Sequence, residues 1–229
     1  FIGDVVIRQF SDTSKQTVIY ASYLKPAEVS EPLSKTLPSS FLQTAVDYLV
    51  LGIEHIVPKG LDHILFVIGI FFYSLRLKSL IGQVTMFTIA HSLTLILASL
   101  NLIYIPAFII EPLIALSISY IAFENILQKK LSLNSALSRY IIIFIFGLIH
   151  GLGFAFVLGD IGLNTSQLIL SLLSFNLGVE VAQIGIIILL FILMIVPSRQ
   201  PWYSLYIQFP ISGIIGLIGL YWFIERVFF

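Results

Sequence analysis

Six apolar runs occupy most of the chain beyond residue 60, at 61–76, 80–100, 106–127, 137–158, 167–196 and 206–228. A helix needs about 20 predominantly apolar residues to cross the hydrocarbon of a bilayer, and inside that layer only helices and closed barrels can satisfy their own backbone. The first run is short for a span, and the fifth is long enough to tilt. Charged residues make up only 10% of the chain and the mean hydropathy is +1.03, whereas a globular domain carries about a quarter charged residues. The fold class this predicts is an all-α polytopic membrane protein with six transmembrane helices.

Two further elements are expected ahead of the first span. Residues 41–57 place Leu42, Ala45, Val46, Leu49, Val50, Ile53 and Ile56 on one face and Gln43, Asp47 and Glu54 on the other. That is helical period over too short a length to span, and predicts an interfacial amphipathic helix ended by Pro58 and Gly60. Before it, DVVIRQF (4–10) and QTVIYASY (16–23) are β-branched and aromatic around a turn-like SDTSK, which predicts a short extracytoplasmic β-hairpin region. Three prolines and four serines make 25–40 a linker. The chain thus divides into an extracytoplasmic β-strand region with linker, 1–40, and a helical membrane domain, 41–229. It begins at Phe1 rather than Met, which fits a removed secretory signal or further residues ahead of it.

Loop charge orients the spans. Arg76 and Lys78, then Lys129, Lys130 and Arg139, then Arg199 fall in alternate loops, while 101–105 and 160–166 contain no Lys or Arg. By the positive-inside rule the basic loops face the cytoplasm and both termini are extracytoplasmic, in the cytoplasmic membrane of a bacterium.

At a rise of ~1.5 Å per residue the polar residues can then be mapped by depth. Four histidines are present in the whole chain. His55 lies at the mouth, and Asp62 and His63 at the outer end of the first span. His91 sits near the midplane of the second, Glu111 one turn below the outer end of the third, and His150 in the outer half of the fourth. Asn176, Glu180 and Gln183 share one face of the fifth. An ionisable group inside a membrane is costly and usually marks a partner or a transported ion. A single His of this kind is as readily a hydrogen-bonded packing residue as a ligand; the convergence of all four on one half of one bundle is what points to a site. Around His150, Gly147 and Gly151 stand four apart, a spacing that permits close helix contact.

Several functions are excluded or weakened. Zero net charge without a basic cluster argues against nucleic acid, and the lack of cysteine removes thiolate metal sites and thiol redox chemistry. No HExxH or Ser–His elbow occurs, and four scattered histidines cannot supply the repeated histidine boxes of a membrane di-iron oxygenase. No enzyme activity and no organic cofactor are therefore predicted, although His91 and His150 could bracket a haem. No nucleotide-binding loop is present, so transport would be secondary or channel-like.

The motifs GIEH, GLDHILF, FTIAHSLTLILA, EPLIALSISYIAFENI, FGLIHGLGFA, FNLGVEVAQ and YWFIER, in that order, resemble the HupE/UreJ family of membrane proteins. The resemblance runs from about residue 41 to the C-terminus and is closest to a longer branch in which an extracytoplasmic β-rich region precedes the helices. It implies a permease for nickel or a related divalent metal, linked to hydrogenase or urease maturation, with Asp62, His63 and His150 among the motif residues.

Together these readings predict a permease or channel for a divalent transition metal, nickel or cobalt first and zinc next, as substrate. Its expected ligands are Asp62, His63, His91, His150, Glu111, Glu180, Asn176 and His55. Imidazole and carboxylate suit those ions, whereas Cu(I) would call for Cys or Met, and the chain has only two methionines. The alternative is an accessory or structural subunit of a larger membrane complex, with other membrane subunits or a second copy of the chain as partners.

Overall fold

The computed structural model describes residues 5–10, 18–24, 40–131, 136–161 and 167–229, with side chains at 40–127, 137–154 and 167–229. Seven α-helices appear among them: α1 Phe41–Ile56, α2 Leu61–Tyr73, α3 Leu77–Ser99, α4 Ala107–Leu131, α5 Ala136–Ile161, α6 Leu168–Met194 and α7 Phe209–Phe228. A short π-helical turn, Ser204–Gln208, leads into α7.

Five of the helices, α3 to α7, are long and apolar enough to cross a membrane, which makes this an integral membrane protein. The expected count of six spans behind an interfacial helix needs correction. The run at 61–76 forms a helix of only 13 residues, because Ser74 adopts an extended conformation and ends it. That helix joins α1 across the break at 57–60 with a bend of 71°, so a sixth span exists only if the bent pair is counted as one. Nor does α1 lie apart on the surface. Its Gly52 meets the Phe175 carbonyl, and Gly178 of α6 meets the Leu49 carbonyl, so closely that a methyl group on either glycine would overlap backbone. Amphipathicity alone predicts a helix at the water interface, but here the face carrying Gly52 and Ile56 is buried against α6.

The expected β-hairpin region is corrected as well. Val5–Phe10 and Val18–Leu24 pair as two antiparallel strands, but the connection at 11–17 lies outside the described residues. No β-rich domain, and no complete hairpin, is seen among the described residues.

Helix termini and faces follow the sequence closely. Ser40 caps α1 by accepting from the Gln43 N–H at 3.2 Å, one of the donors a helix start leaves without an intrahelical partner. On α6 the residues Leu173, Leu177, Val181, Ile188 and Ile192 are exposed, while Ser171, Phe175, Asn176, Gly178 and Gln183 are buried. That is one lipid-facing stripe and one polar, small-residue stripe at helical period. Glycine also brings α5 onto α3: Gly147 faces the Phe87 backbone and Gly151 the His91 carbonyl. Three helix pairs result, α1 with α6, α3 with α5 and α4 with α7, and the short α2 lies among α3, α4, α6 and α7. Its Phe66, Val67, Ile70 and Phe71 are fully or almost fully buried and join Val84, Phe87, Ile118, Ile121 and Ile143 in the main core.

Candidate metal site

The break between α1 and α2 is where the site begins. His55 lies in the last turn of α1 and His63 in the first turn of α2, so a bend of four residues brings two imidazoles to a centroid distance of 4.9 Å. His91 arrives from α3, its ring 5.8 Å from that of His63 and 6.2 Å from that of His55. Gly151, packed on the His91 backbone, lets α5 approach closely enough for the His150 ring to reach 5.0 Å from His63.

Each ring but one is held from behind. The Asp62 carboxylate accepts from both the backbone N–H of His63 at 2.8 Å and its Nδ1 at 2.9 Å. Asn176 Oδ1 accepts from His91 Nδ1 at 3.1 Å, while Asn176 Nδ2 donates to the Leu172 carbonyl at 2.8 Å, which fixes the amide orientation. His150 Nδ1 donates to the Phe146 carbonyl one turn back at 2.8 Å. All three partners are oxygen acceptors, so the ring proton is assigned to Nδ1. Nε2 is then a bare lone pair in all three.

Those lone pairs have nowhere to go. The Nε2 atoms of His55, His63, His91 and His150 are all buried without a hydrogen-bond partner. Buried polar atoms in folded proteins are almost always paired, and each orphan costs about 1–3 kcal/mol. Four of them on neighbouring rings is a cost that a bound cation would remove. Ligand nitrogens of His55, His63 and His91 lie within 4.8 Å of one another. A metal held at about 2.0–2.1 Å by each would draw them to roughly 3–3.5 Å, a contraction within the reach of side-chain torsions. Imidazole nitrogen without thiolate suits Zn²⁺, Co²⁺ and Ni²⁺ and not the oxygen-seeking Mg²⁺ or Ca²⁺.

A cavity of about 300 Å³ opens over the group, and His55, Asp62, His63, Glu111 and His150 all line it. His91, with 0% of its surface exposed, lies one layer beneath. Phenylalanines close the remaining sides: Phe154 stands 4.0 Å from the His55 ring, and Phe66 and Phe87 stand 5.4 and 5.1 Å from that of His150.

Of the residues singled out from sequence, the four histidines, Asp62 and Asn176 come together and Glu111 faces the same cavity. Glu180 does not join them; it accepts a 2.6 Å hydrogen bond from Thr85 Oγ1 across the α3–α6 contact. Glu54 pairs with Lys59 at 2.8 Å on the surface. Sequence reasoning passed over two cavity-lining cations, Lys59 and Arg226. Arg226 Nη1 donates to the Glu111 carbonyl at 3.0 Å. The signal was present in the closing YWFIER, whose arginine stands at the same end of the bundle as Glu111.

A family model described as HupE / UreJ protein matches residues 32–226. The match begins after both strands, so the expected assignment to a branch with a β-rich region gains nothing from it. No curated protein and no solved structure matches the chain. Since the family model covers most of the sequence, including every histidine and both helices of the bent pair, the chain belongs to the HupE/UreJ family.

Proposed function

We propose that the protein is a permease for a divalent transition-metal ion, nickel or cobalt in first place, and not an enzyme. The ion is cargo, and it binds between His55, His63 and His91. The observation that carries this is the set of four buried, unpartnered Nε2 atoms, three of them on rings whose Nδ1 is already committed to an oxygen. Family membership supports it. So does the broken helix: transporters commonly build ion sites where a helix is interrupted, because side chains and freed backbone converge there.

In this reading Asp62 and Glu111 lower the potential at the mouth, and a cation entering the cavity meets His55 and His63 before His91. Asp62 serves as the carboxylate behind the His63 imidazole rather than as a direct ligand. It fixes the tautomer and raises the basicity of Nε2. His150, beside His63, takes the ion next or completes its coordination. The cavity end faces away from the cytoplasm, with both termini extracytoplasmic, because the basic loops stand at the other end of the bundle.

The test is metal accumulation by cells expressing His63→Ala at matched protein level, with calorimetric metal titration of the purified protein alongside. Loss of both uptake and binding is expected. Unchanged uptake with unchanged binding would refute the permease assignment and leave the accessory-subunit alternative.

A further inference from the structure

A second buried polar cluster lies at the opposite, basic-loop end of the bundle, and the histidine site makes no use of it. Arg139 near the start of α5 forms an ion pair through Nη1 with Glu124 near the end of α4. Its Nε donates to Gln83 Oε1 of α3 at 2.9 Å, and its guanidinium carbon lies 3.3 Å from the Tyr73 ring centroid at the end of α2. One side chain therefore ties four helices. Arg139 and Glu124 are only 4% and 8% exposed. Gln83 is held in turn by Ser79 Oγ at 2.9 Å. The adjacent Asn125 donates to the Gly69 carbonyl at 2.9 Å, which brings a second contact onto α2.

Two features set this cluster apart from a finished structural ion pair. Removing two charges from water costs several kcal/mol per ion, recovered only where every donor and acceptor is met. Here Arg139 Nη2 and Asn125 Oδ1 are buried with no partner. The cluster also stands at the other end of the same helices, for Tyr73 ends the α2 that His63 begins. Beside His150 comes a layer of aromatic rings, with Phe66 5.0 Å from Phe87 and 6.1 Å from Phe146. The core residues Val84, Ile121 and Ile143 of α3, α4 and α5 share that interior. Past them lies the Glu124–Arg139 pair.

We propose that Glu124 is an exit station for a divalent cation, and that Arg139 is the tethered cation occupying it while the pathway is closed. The proposal rests on the permease reading above. A dication leaving the histidines must cross an apolar interior where an uncompensated charge is expensive. Glu124, joined through Arg139 to Gln83, is a buried carboxylate on that side. Arg139 neutralises it between passages, holds the ends of α2, α3, α4 and α5 together, and must swing away for the ion to pass. Closure and discharge are then one event, in which a mobile dication exchanges with a resident monocation.

The chain has no cysteine, so a single Val84→Cys reports access to the layer between the aromatic rings and the ion pair. Its labelling by a membrane-impermeant maleimide is measured in inside-out vesicles, with and without saturating nickel on the opposite face. Labelling should be slow at rest and rise about tenfold during nickel loading, as expected of an opening whose population the ligand shifts. Equal rates with and without nickel would overturn the proposal, and this arm leaves the ion pair itself untouched. Glu124→Gln keeps the shape and a hydrogen-bond acceptor for Arg139. Nickel affinity of that purified variant should stay within about twofold of the parent while its maximal uptake rate falls at least tenfold, the pattern of a group acting after binding. Wild-type uptake in Glu124→Gln would also overturn the exit station. Absence of nickel binding in the unmutated protein would instead remove the permease reading beneath it.

Discussion

Asp62→Asn is the sharpest probe of the histidine site, because it removes one charge and little else. Asparagine keeps the size of the side chain and an oxygen in the position that now accepts from His63 N at 2.8 Å and Nδ1 at 2.9 Å. The ring would keep its tautomer and orientation. What is lost is the anion behind an imidazole that has only 3% of its side chain exposed, where screening by water is weak. Removing such an outer partner of a metal-bound His typically weakens metal affinity about 10- to 100-fold, or about 1.4–2.7 kcal/mol. A direct carboxylate ligand would cost more and would alter the coordination spectrum. Calorimetric titration of the purified protein with nickel or cobalt measures the affinity, and cobalt d–d absorption reports the ligand set. Affinity within twofold of the parent would refute the carboxylate–imidazole–metal arrangement. A loss of affinity with a changed cobalt spectrum would refute the outer role and make Asp62 a ligand.

Further expectations follow from the same geometry. Asn176→Ala removes the acceptor of the His91 Nδ1–H and should weaken nickel binding about tenfold, read in the same titration. Protons compete for the Nε2 lone pairs, so binding should weaken on acidification and recover on return to neutral pH; affinities at several pH values decide the sign. Gly178→Val must push α1 off α6, since even a methyl there meets the Leu49 carbonyl; over-packing of this kind costs typically 1–3 kcal/mol. A lowered melting temperature together with weakened metal binding is expected, because His55 rides on α1.

Much of the bundle was legible because lipid imposes a simple rule. Runs of apolar residues at spanning length located α3 to α7 to within a few residues at most ends. The failures share one cause. Periodicity says which face of a helix is apolar but not what covers it: on α1 the side carrying Gly52 and Ile56 packs against α6, while Leu42, Val46 and Val50 of the apolar stripe stay exposed. Hydropathy likewise could not show that the run from residue 61 stops at Tyr73, since Ser74–Arg76 is polar enough for a loop and short enough for a helix end. The histidines were legible as a group because each is expensive in hydrocarbon. Glu180 was grouped with them by depth and by the helix face it shares with Asn176. Neither shows which side chain stands opposite one turn further along, and there Thr85, not a histidine, answers Glu180. The Arg139–Glu124 pair joins the ends of two helices, and the distance between helix ends is a tertiary fact that neither hydropathy nor periodicity carries.

The placement of the histidines at a break rather than within a continuous helix has a mechanical consequence. In α3 or α5 a histidine is locked to its neighbours: Gly147 and Gly151 seat those two helices backbone to backbone, and His91 and His150 can move only with that pair. His55 and His63 stand on either side of the residues 57–60, where the chain turns through 71° between α1 and α2. α1 is seated on α6 through Gly52 and Gly178, while α2 packs among α3, α4, α6 and α7. The site is therefore shared between two helix pairs, joined across the α3–α6 contact by the Thr85–Glu180, Thr88–Gln183 and His91–Asn176 hydrogen bonds. A shift of one pair relative to the other would change the spacing of His55 from His91 by remaking those bonds. In the proposed permease, contraction of the ligand set around an ion would favour one arrangement of the two pairs, and release of the ion the other. A disulfide between cysteines introduced on α1 and α3 near these histidines should hold the pairs together. It should preserve metal binding and abolish uptake, with uptake restored on reduction. Uptake that continues with the disulfide formed would show that the pairs need not move.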